Sequence, residues 1–301
     1  MNGIQKISLA LLKKFKFLPA NIYLKYYYEY YNGKKLDLKN PVDFNEKIQW
    51  LKAYYHVPVL NKLVDKYEVR EYVKDKIGGE YLNEVYGVYE KGKDVPIEDL
   101  PEQFVLKATH GYNFHIIVRD KAKLSTLKTR LTLKKWQNRN QFYRGGMEWA
   151  YKDVPKRILA EKYLEEIDNK GLSDIKFYCF SGRPEFIEVT MEIDSAPYRM
   201  YFDLQWKKIE MGRIGIDAYE KKLAKPPNLE QMVEIAGKLS EKFPFVRVDL
   251  YNIKGKILFG ELTFYPADGR HPFHPEKYNK IFGDLIRLPE IPPGQKVITE
   301  L

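Results

Sequence analysis

Two short connections constrain the fold of this chain more than any other feature of its sequence. Ser181-Gly182-Arg183-Pro184 separates the strand-like runs 175–180 and 185–190, and Asn252-Ile253-Lys254-Gly255 separates the runs 245–250 and 256–264. Links this short make hairpins, whereas parallel strands need a crossover of about a dozen residues or more. Residues 104–109 and 116–118 read as a third hairpin, and 157–164 and 199–204 as single strands. Helical patterns lie between them. Ile22, Tyr23, Tyr26, Tyr27, Tyr30 and Tyr31 follow three- and four-residue spacings up to the stop signal Asn32-Gly33. Asp43 or Asn45 can cap a helix carrying Ile48, Trp50 and Leu51. Further helices are predicted over 59–76, within the polar stretch 123–150, and over 229–242. Hairpins with interspersed helices predict an α+β architecture and argue against a parallel doubly wound sheet.

Composition narrows the class. With 24 Tyr, 16 Phe and 4 Trp the chain can bury a large core, which excludes a disordered protein. The single cysteine, Cys179, excludes an internal disulfide framework and a cysteine-rich zinc site. Its place in an apolar strand reads as core filler rather than nucleophile, and one cysteine agrees with a reducing cytosol. The apolar run 7–12 ends in Lys13-Lys14 and is too short for a bilayer span of about 20 residues. It also lacks a small-residue cleavage site, so a signal peptide is not expected. Residues 4–17 form a basic amphipathic start that fits either a membrane surface or packing on its own domain. The net charge of +10 favours anionic partners such as nucleotides, acidic sugars or anionic lipid, and equally fits a lysine-rich soluble surface. No zinc-finger spacing or aromatic RNA-binding word is present, so nucleic acid is not expected.

The residues with most chemical content lie in the last hairpin. Arg247 and Asp249 are two apart on one strand, and Glu261 and Thr263 two apart on the next, so each pair shares a face. If the strands pair about their turn, Asp249 and Glu261 meet at one end of the sheet. Hard Mg²⁺ takes such oxygen ligands and shares them with phosphate; a surface ion-pair cluster is the other reading. Lys107 lies inside an otherwise apolar strand, where its ammonium must reach water or an anion. Thr109-His110-Gly111-Tyr112-Asn113 follows it, either a plain hairpin turn or a loop laying N–H groups over phosphate. Lys66, in the 59–76 pattern, reads by itself as a solvated helix residue. His271 and His274 in His271-Pro272-Phe273-His274-Pro275 fit an ordered substrate-side loop better than a metal site.

In their order along the chain these words resemble the ATP-grasp superfamily, and more closely its TupA-like branch, found with cell-surface polysaccharide genes. The resemblance covers about residues 20–275. It rests on Asn40-Pro41 with Phe44-Asn45-Glu46-Lys47-Ile48-Gln49-Trp50-Leu51, Asp65-Lys66 with Val69-Arg70-Glu71-Tyr72-Val73, Phe104-Val105-Leu106-Lys107 with His110-Gly111, Glu161-Lys162-Tyr163-Leu164, Asp174-Ile175-Lys176, Arg247-Val248-Asp249 and Gly260-Glu261-Leu262-Thr263-Phe264. It implies an ATP-grasp fold: two α+β lobes sandwiching ATP, with a helical N-terminal cap (1–55), a nucleotide lobe (56–164) and a metal-binding catalytic lobe (165–301).

It further implies an ATP- and Mg²⁺-dependent carboxylate–amine ligase that forms an amide through an acyl-phosphate. Lys66 and Lys107, with the His110-Gly111 loop, would bind ATP phosphates. In the hinge word Glu161, Lys162 and Leu164 would meet adenine, Glu161 and Leu164 through their backbone. Asp174 would lie near the ribose or substrate and Lys176 near the transferred phosphoryl group. Asp249, Glu261 and Thr263 would ligate magnesium, and Arg247 would steady the acyl intermediate. The implied partners are an acidic sugar or other carboxylate and an amine, in the cytoplasm or at the inner membrane face. Three features depart from the pattern: Thr263 stands where Asn is usual, the phosphate loop has one glycine among bulky residues, and Lys66 comes too early for a complete first lobe. Rival readings are a glycosyltransferase, which usually carries an Asp-x-Asp word absent here, and a non-catalytic nucleotide-binding protein.

Overall fold

A computed structural model describes residues 3–12, 14–164, 174–193, 196–213 and 223–301. Lys13, and the expected lobe boundary on the side of residue 165, lie outside the described residues. The first segment is helical, with α1 (Gly3–Leu12), α2 (Ala20–Asn32) and α3 (Phe44–Tyr54). Helix α2 stops as its sequence predicts: Gly33 takes a left-handed φ of 69° and its N–H donates to the Glu29 carbonyl. Of the two candidate caps for α3, Asp43 serves and Asn45 lies inside the helix. Asp43 and Glu46 form a reciprocal capping box, in which the Asp43 N–H donates to the Glu46 carboxylate at 3.1 Å.

The single helix predicted over 59–76 is two, α4 (Val59–Val64) and α5 (Val69–Ile77). At the break Asp65 is extended, with ψ 121°, and its carboxylate accepts from the N–H groups of Tyr67 (2.8 Å) and Glu68 (3.0 Å). The side chain thus supplies acceptors that a continuous helix would have supplied. Lys66 therefore sits in a turn and not on a helix, which corrects the reading of its position.

Four antiparallel strands make the smaller sheet: β1 (Val85–Tyr89), β2 (Phe104–Ala108), β3 (His115–Val118) and β4 (Ile158–Lys162), in the order β1-β4-β2-β3. The sequence did not announce β1, whose central Gly87 weakens its strand pattern. This sheet has its own core, where Phe104, Leu106 and Ala160 pack with Leu133 and Trp136 of α6 (Thr126–Gln137).

The larger sheet contains β5 (Asp174–Phe180), β6 (Arg183–Ile193), β7 (Ala196–Phe202) and β8 (Lys208–Ile209), then, after the short β9 (Gly212–Arg213), β10 (Phe245–Ile253) and β11 (Lys256–Thr263). Its order is β11-β10-β5-β6-β7-β8. Both expected hairpins form, with tighter turns than the sequence suggests. Ser181-Gly182 (φ 48° and 80°) and Lys254-Gly255 (φ 50° and 87°) make the bends, so the strands run into residues expected to be loop.

Period-two alternation gives this sheet its two faces. Val246, Val248 and Leu250, with Ile175 and Phe177, belong to the core under the helix Leu229–Ser240. On the opposite face Phe245, Arg247, Asp249 and Tyr251 pair with Phe180, Tyr178, Lys176 and Asp174 of β5. That face grades from aromatic to charged within four successive positions. Its apolar end lies beneath α3, where the Phe44 ring stands edge-on to Phe245 at 5.1 Å and to Phe273 at 5.3 Å. Helices α2 and α3 and the larger sheet thus share one hydrophobic core.

Candidate active site

The charged end of that face and the smaller sheet wall a cleft of about 400 Å³. Of the residues singled out from the sequence, Lys66, Lys107, Glu161, Lys162, Leu164, Asp174, Lys176, Arg247, Asp249 and Glu261 line it. His110, Gly111 and Thr263 are not among its lining residues.

The acidic pair owes its placement to strand register. Asp249 is opposite Lys176 on one side and Glu261 on the other, so these three side chains form one row across three strands. Beyond this row Leu250 pairs with Phe259, which leaves Gly260 as an extra residue in β11. A Cβ on Gly260 would lie 2.9 Å from the Asp249 carbonyl oxygen, so the bulge admits only glycine without displacement. Arg247 stands beside the row. Its Nε and one terminal nitrogen each donate to Asp249 at 2.7 Å, and that nitrogen also donates to Thr263 Oγ1 at 3.1 Å and lies 3.5 Å from Glu261. Burial pushes the Asp249 carboxyl up to about 7 against the pull of Arg247 and Lys176. Burial also works against the charge on Arg247, but Asp249 outweighs it and holds the guanidinium well above its ordinary range. Glu261 is drawn below its ordinary value: Lys66 and Arg247 overcome the effect of burial.

Two facing carboxylates suit Mg²⁺, which takes one or two from protein and completes its shell with phosphate oxygens and water. Among the described residues no group of three or more His, Cys, Asp or Glu converges to hold a metal ion. Thr263 donates its hydroxyl proton to Glu261 at 3.1 Å while accepting from Arg247. The hydroxyl thus links Arg247 to Glu261 beside the expected metal position, with one lone pair left over.

On the opposite wall Lys107 ion-pairs with the buried Glu161 carboxylate. Glu161 is opposite Val85 and Val105, inside the sheet on both sides. Its side chain, paired with Lys107, meets the cleft. The Lys162 N–H donates to the Glu84 carbonyl (2.9 Å), and its own carbonyl accepts from Asn83 (2.9 Å). Leu164, just past the end of β4, forms no backbone hydrogen bond to another described residue. Lys66 reaches in from its turn: its ammonium donates to the Gly111 carbonyl at 2.6 Å and lies 4.0 Å from Glu261. His110 points the other way, buried against Phe114 with Nε2 3.1 Å from the Trp136 carbonyl oxygen. It anchors the loop to the smaller core, while Tyr112, Asn113 and Phe114 of the same loop line the cleft. His271 and His274 do not line the cleft.

Sequence reasoning missed a charged cluster one strand beyond Lys176. Glu188, opposite Lys176, is buried and accepts from the hydroxyls of Tyr178 (2.7 Å), Tyr201 (3.2 Å) and Thr190 (3.4 Å), with Arg199 Nε at 3.5 Å. Burial opposes its ionisation, but Arg199, Arg247, Arg213 and Lys176 hold it down at about 2. Its stabilising contribution is therefore complete above an unfolded-state value of 4.5 and is lost as pH falls toward 2. Glu188→Gln is expected to cost about 3 kcal/mol at pH 7 and to flatten the loss of stability across that acid window. Denaturant melts at pH 7 and pH 3 check this; equal slopes in mutant and wild type would sink it. The only sequence signal was a charged residue inside a hairpin strand.

A model of the TupA-like ATPgrasp family matches residues 46–287. Among solved structures the chain is similar to the ATP-grasp ligase PsnB complexed with minimal precursor, at 10% identity over 72% of this chain and 57% of that one, with a TM-score of 0.40. It is also similar to N5-carboxyaminoimidazole synthase from Aspergillus clavatus, at 13% identity over 67% of this chain and 44% of that one (TM-score 0.36). With D-alanine–D-alanine ligase from Bacillus anthracis the identity is 17% over 82% of this chain and 74% of that one (TM-score 0.45). The chain thus spans about half the length of the first two. No curated protein matches it.

Proposed function

Because the chain belongs to the TupA-like ATP-grasp family, we propose that it is an ATP- and Mg²⁺-dependent carboxylate–amine ligase. A substrate carboxylate oxygen attacks the γ-phosphorus of ATP and ADP leaves. An amine nitrogen then attacks the acyl carbon, phosphate leaves, and the amine's proton passes to solvent. One observation carries this reading: the row Lys176, Asp249 and Glu261 shares a cleft with Lys107 and Lys66. The cleft thus joins cations for a triphosphate to a carboxylate pair for its metal.

Asp249 and Glu261 would hold the ion, whose bound charge neutralises phosphate oxygens. Lys66 and Lys107 bind phosphates, and Lys176 lies beside the transferred group. Arg247, held cationic, steadies the acyl-phosphate and the oxyanion that forms on amine attack. The Leu164 N–H is a donor for the purine edge. Lys107→Ala is expected to weaken ATP binding roughly tenfold or more, about 1.4 kcal/mol, with Glu161→Gln as the control for the carboxylate left behind. Calorimetry showing equal affinity in a folded mutant overturns that assignment.

The +10 charge supports an acidic sugar as the carboxylate substrate, in making a surface polysaccharide. Among the described residues no helix is long and apolar enough to cross a membrane. Exposed Ile7, Leu11, Phe15 and Phe17 lie among Lys6, Lys14 and Lys16, which supports contact with an anionic membrane surface. The deciding experiment incubates the protein with Mg²⁺, ATP, candidate uronic acids and amines, and identifies the nucleotide released. ADP with amide is expected; sugar transfer from a nucleotide donor without ATP overturns the reading.

A further inference from the structure

The turn that follows β11 holds three successive residues in the left-handed region: Ala267 (φ 51°), Asp268 (φ 57°) and Gly269 (φ 64°). Only glycine takes that conformation at no steric cost. The other two persist because their surroundings over-determine them, a condition that clusters at functional sites. Asp268 is buried. Its carboxylate accepts from the hydroxyls of Tyr112 (2.9 Å) and Tyr27 (3.3 Å), and Arg270 lies 2.8 Å away. Its carbonyl accepts from the Gln49 amide at 2.8 Å and the Lys52 ammonium at 3.2 Å. Tyr112 belongs to the loop between β2 and β3, Tyr27 to α2, and Gln49 and Lys52 to α3. One residue thus joins the smaller lobe's loop, the N-terminal helices and the chain leaving Thr263.

We propose that Asp268 is a positioning residue for the phosphate loop. By accepting the Tyr112 hydroxyl it fixes residues 109–114 in place to receive a triphosphate, and α2 and α3 fix Asp268 in turn. This rests on reading that loop as the phosphate-binding element. The contact gives a role to two features the catalytic scheme leaves idle. Gln49 of the word Phe44-Asn45-Glu46-Lys47-Ile48-Gln49-Trp50-Leu51 holds the turn. Tyr112, a bulky residue in a phosphate loop, fastens it. The Tyr112 ring packs edge-on to Tyr151 at 6.1 Å with the Arg144 guanidinium 5.6 Å away, which aims its hydroxyl. Lys66 grips the preceding carbonyl, that of Gly111. The loop is therefore fastened at two adjacent residues, once by a cleft lysine and once by Asp268.

Tyr112→Phe deletes one hydroxyl and keeps the ring. Asp268→Asn keeps size, and Asn tolerates the left-handed backbone. Tyr112→Phe is expected to weaken Mg-ATP binding roughly tenfold by calorimetry, and Asp268→Asn by less, because its remaining oxygen still accepts the Tyr112 hydroxyl without the negative charge. The double variant should be no weaker than Tyr112→Phe alone, because once the hydroxyl is gone residue 268 has no bond to the loop left to weaken. In the nucleotide-free protein, Tyr112→Phe should speed amide hydrogen exchange across residues 109–114 and leave β10 unchanged. A purely structural contact would lower the melting temperature without moving loop exchange or ATP affinity, and that result overturns the proposal. Unchanged loop exchange in Tyr112→Phe overturns it whether or not the wild type binds ATP. Faster loop exchange in a protein that fails to bind ATP supports the fastening and overturns only the nucleotide reading. If Asp268→Asn does not fold, Tyr112→Phe decides alone.

Discussion

Glu261→Gln is expected to lower turnover roughly a hundredfold, about 2.7 kcal/mol of transition-state stabilisation, and to leave the fold intact. The substitution removes the negative charge of the proposed metal ligand and keeps an oxygen for the contacts with Thr263 and Arg247. Losing the charge gives up attraction from Lys66 and Arg247, but solvent screens a side chain that is 36% exposed. The mutation should therefore separate chemistry from folding, which ADP release and a thermal melt would measure together. A folded Glu261→Gln protein with full activity would mean that the catalytic end of the sheet lies elsewhere.

Arg247→Lys is the second large effect and the better probe of that residue. Arg247→Ala would strand Asp249, which is 4% exposed and bound by two bonds from one guanidinium. Removing one partner of a buried pair costs about 3–5 kcal/mol, so a loss of activity there would be confounded with unfolding. Lysine keeps the charge but cannot reproduce the two-pronged contact. We expect Arg247→Lys to stay folded and to bind ATP, while amide formation falls roughly a hundredfold because the intermediate loses its oriented donor. ADP release and amide yield should be assayed separately. Parallel loss of both would assign Arg247 to phosphoryl transfer instead, and no loss of either would remove it from the site.

Local signals are legible in the sequence and long-range ones are not. The stop at Asn32-Gly33, the cap at Asp43 and the two hairpins depend on neighbours in sequence, and each forms where its residues predict, the hairpins with tighter turns. The order of Lys66, Lys107, Asp249 and Glu261 along the chain points to one cleft. Their exact partners do not follow, because a partner across a sheet depends on register. Gly260 shows why: its bulge shifts the pairing between Asp249 and Leu250, and nothing within β10 records that shift. The break at Asp65 is hidden because its carboxylate caps the next turn in mid-pattern. Glu188 is hidden by register too, since Tyr178, Thr190 and Tyr201 meet it only through the pairing of its own and the flanking strands. Asp268 is invisible for another reason: it gathers partners from distant segments, with Tyr27 separated from it by 241 positions.

The shared core under the larger sheet has a consequence for synthesis. Phe44 packs on Phe245 and Phe273, and near the end of the chain Ile298 bonds back to the Tyr54 carbonyl and His56 N–H. At about 5–20 residues per second, roughly 10–40 s separate the emergence of Phe44 from that of Phe245. During that interval α2 and α3 are on the ribosome without the strands that bury them. The smaller lobe faces no such delay, since its core draws on one unbroken run from Val95 to Ala160. The translating chain should therefore expose a finished smaller lobe flanked by unfinished apolar helices. That is the species on which a chaperone or an early aggregate would act.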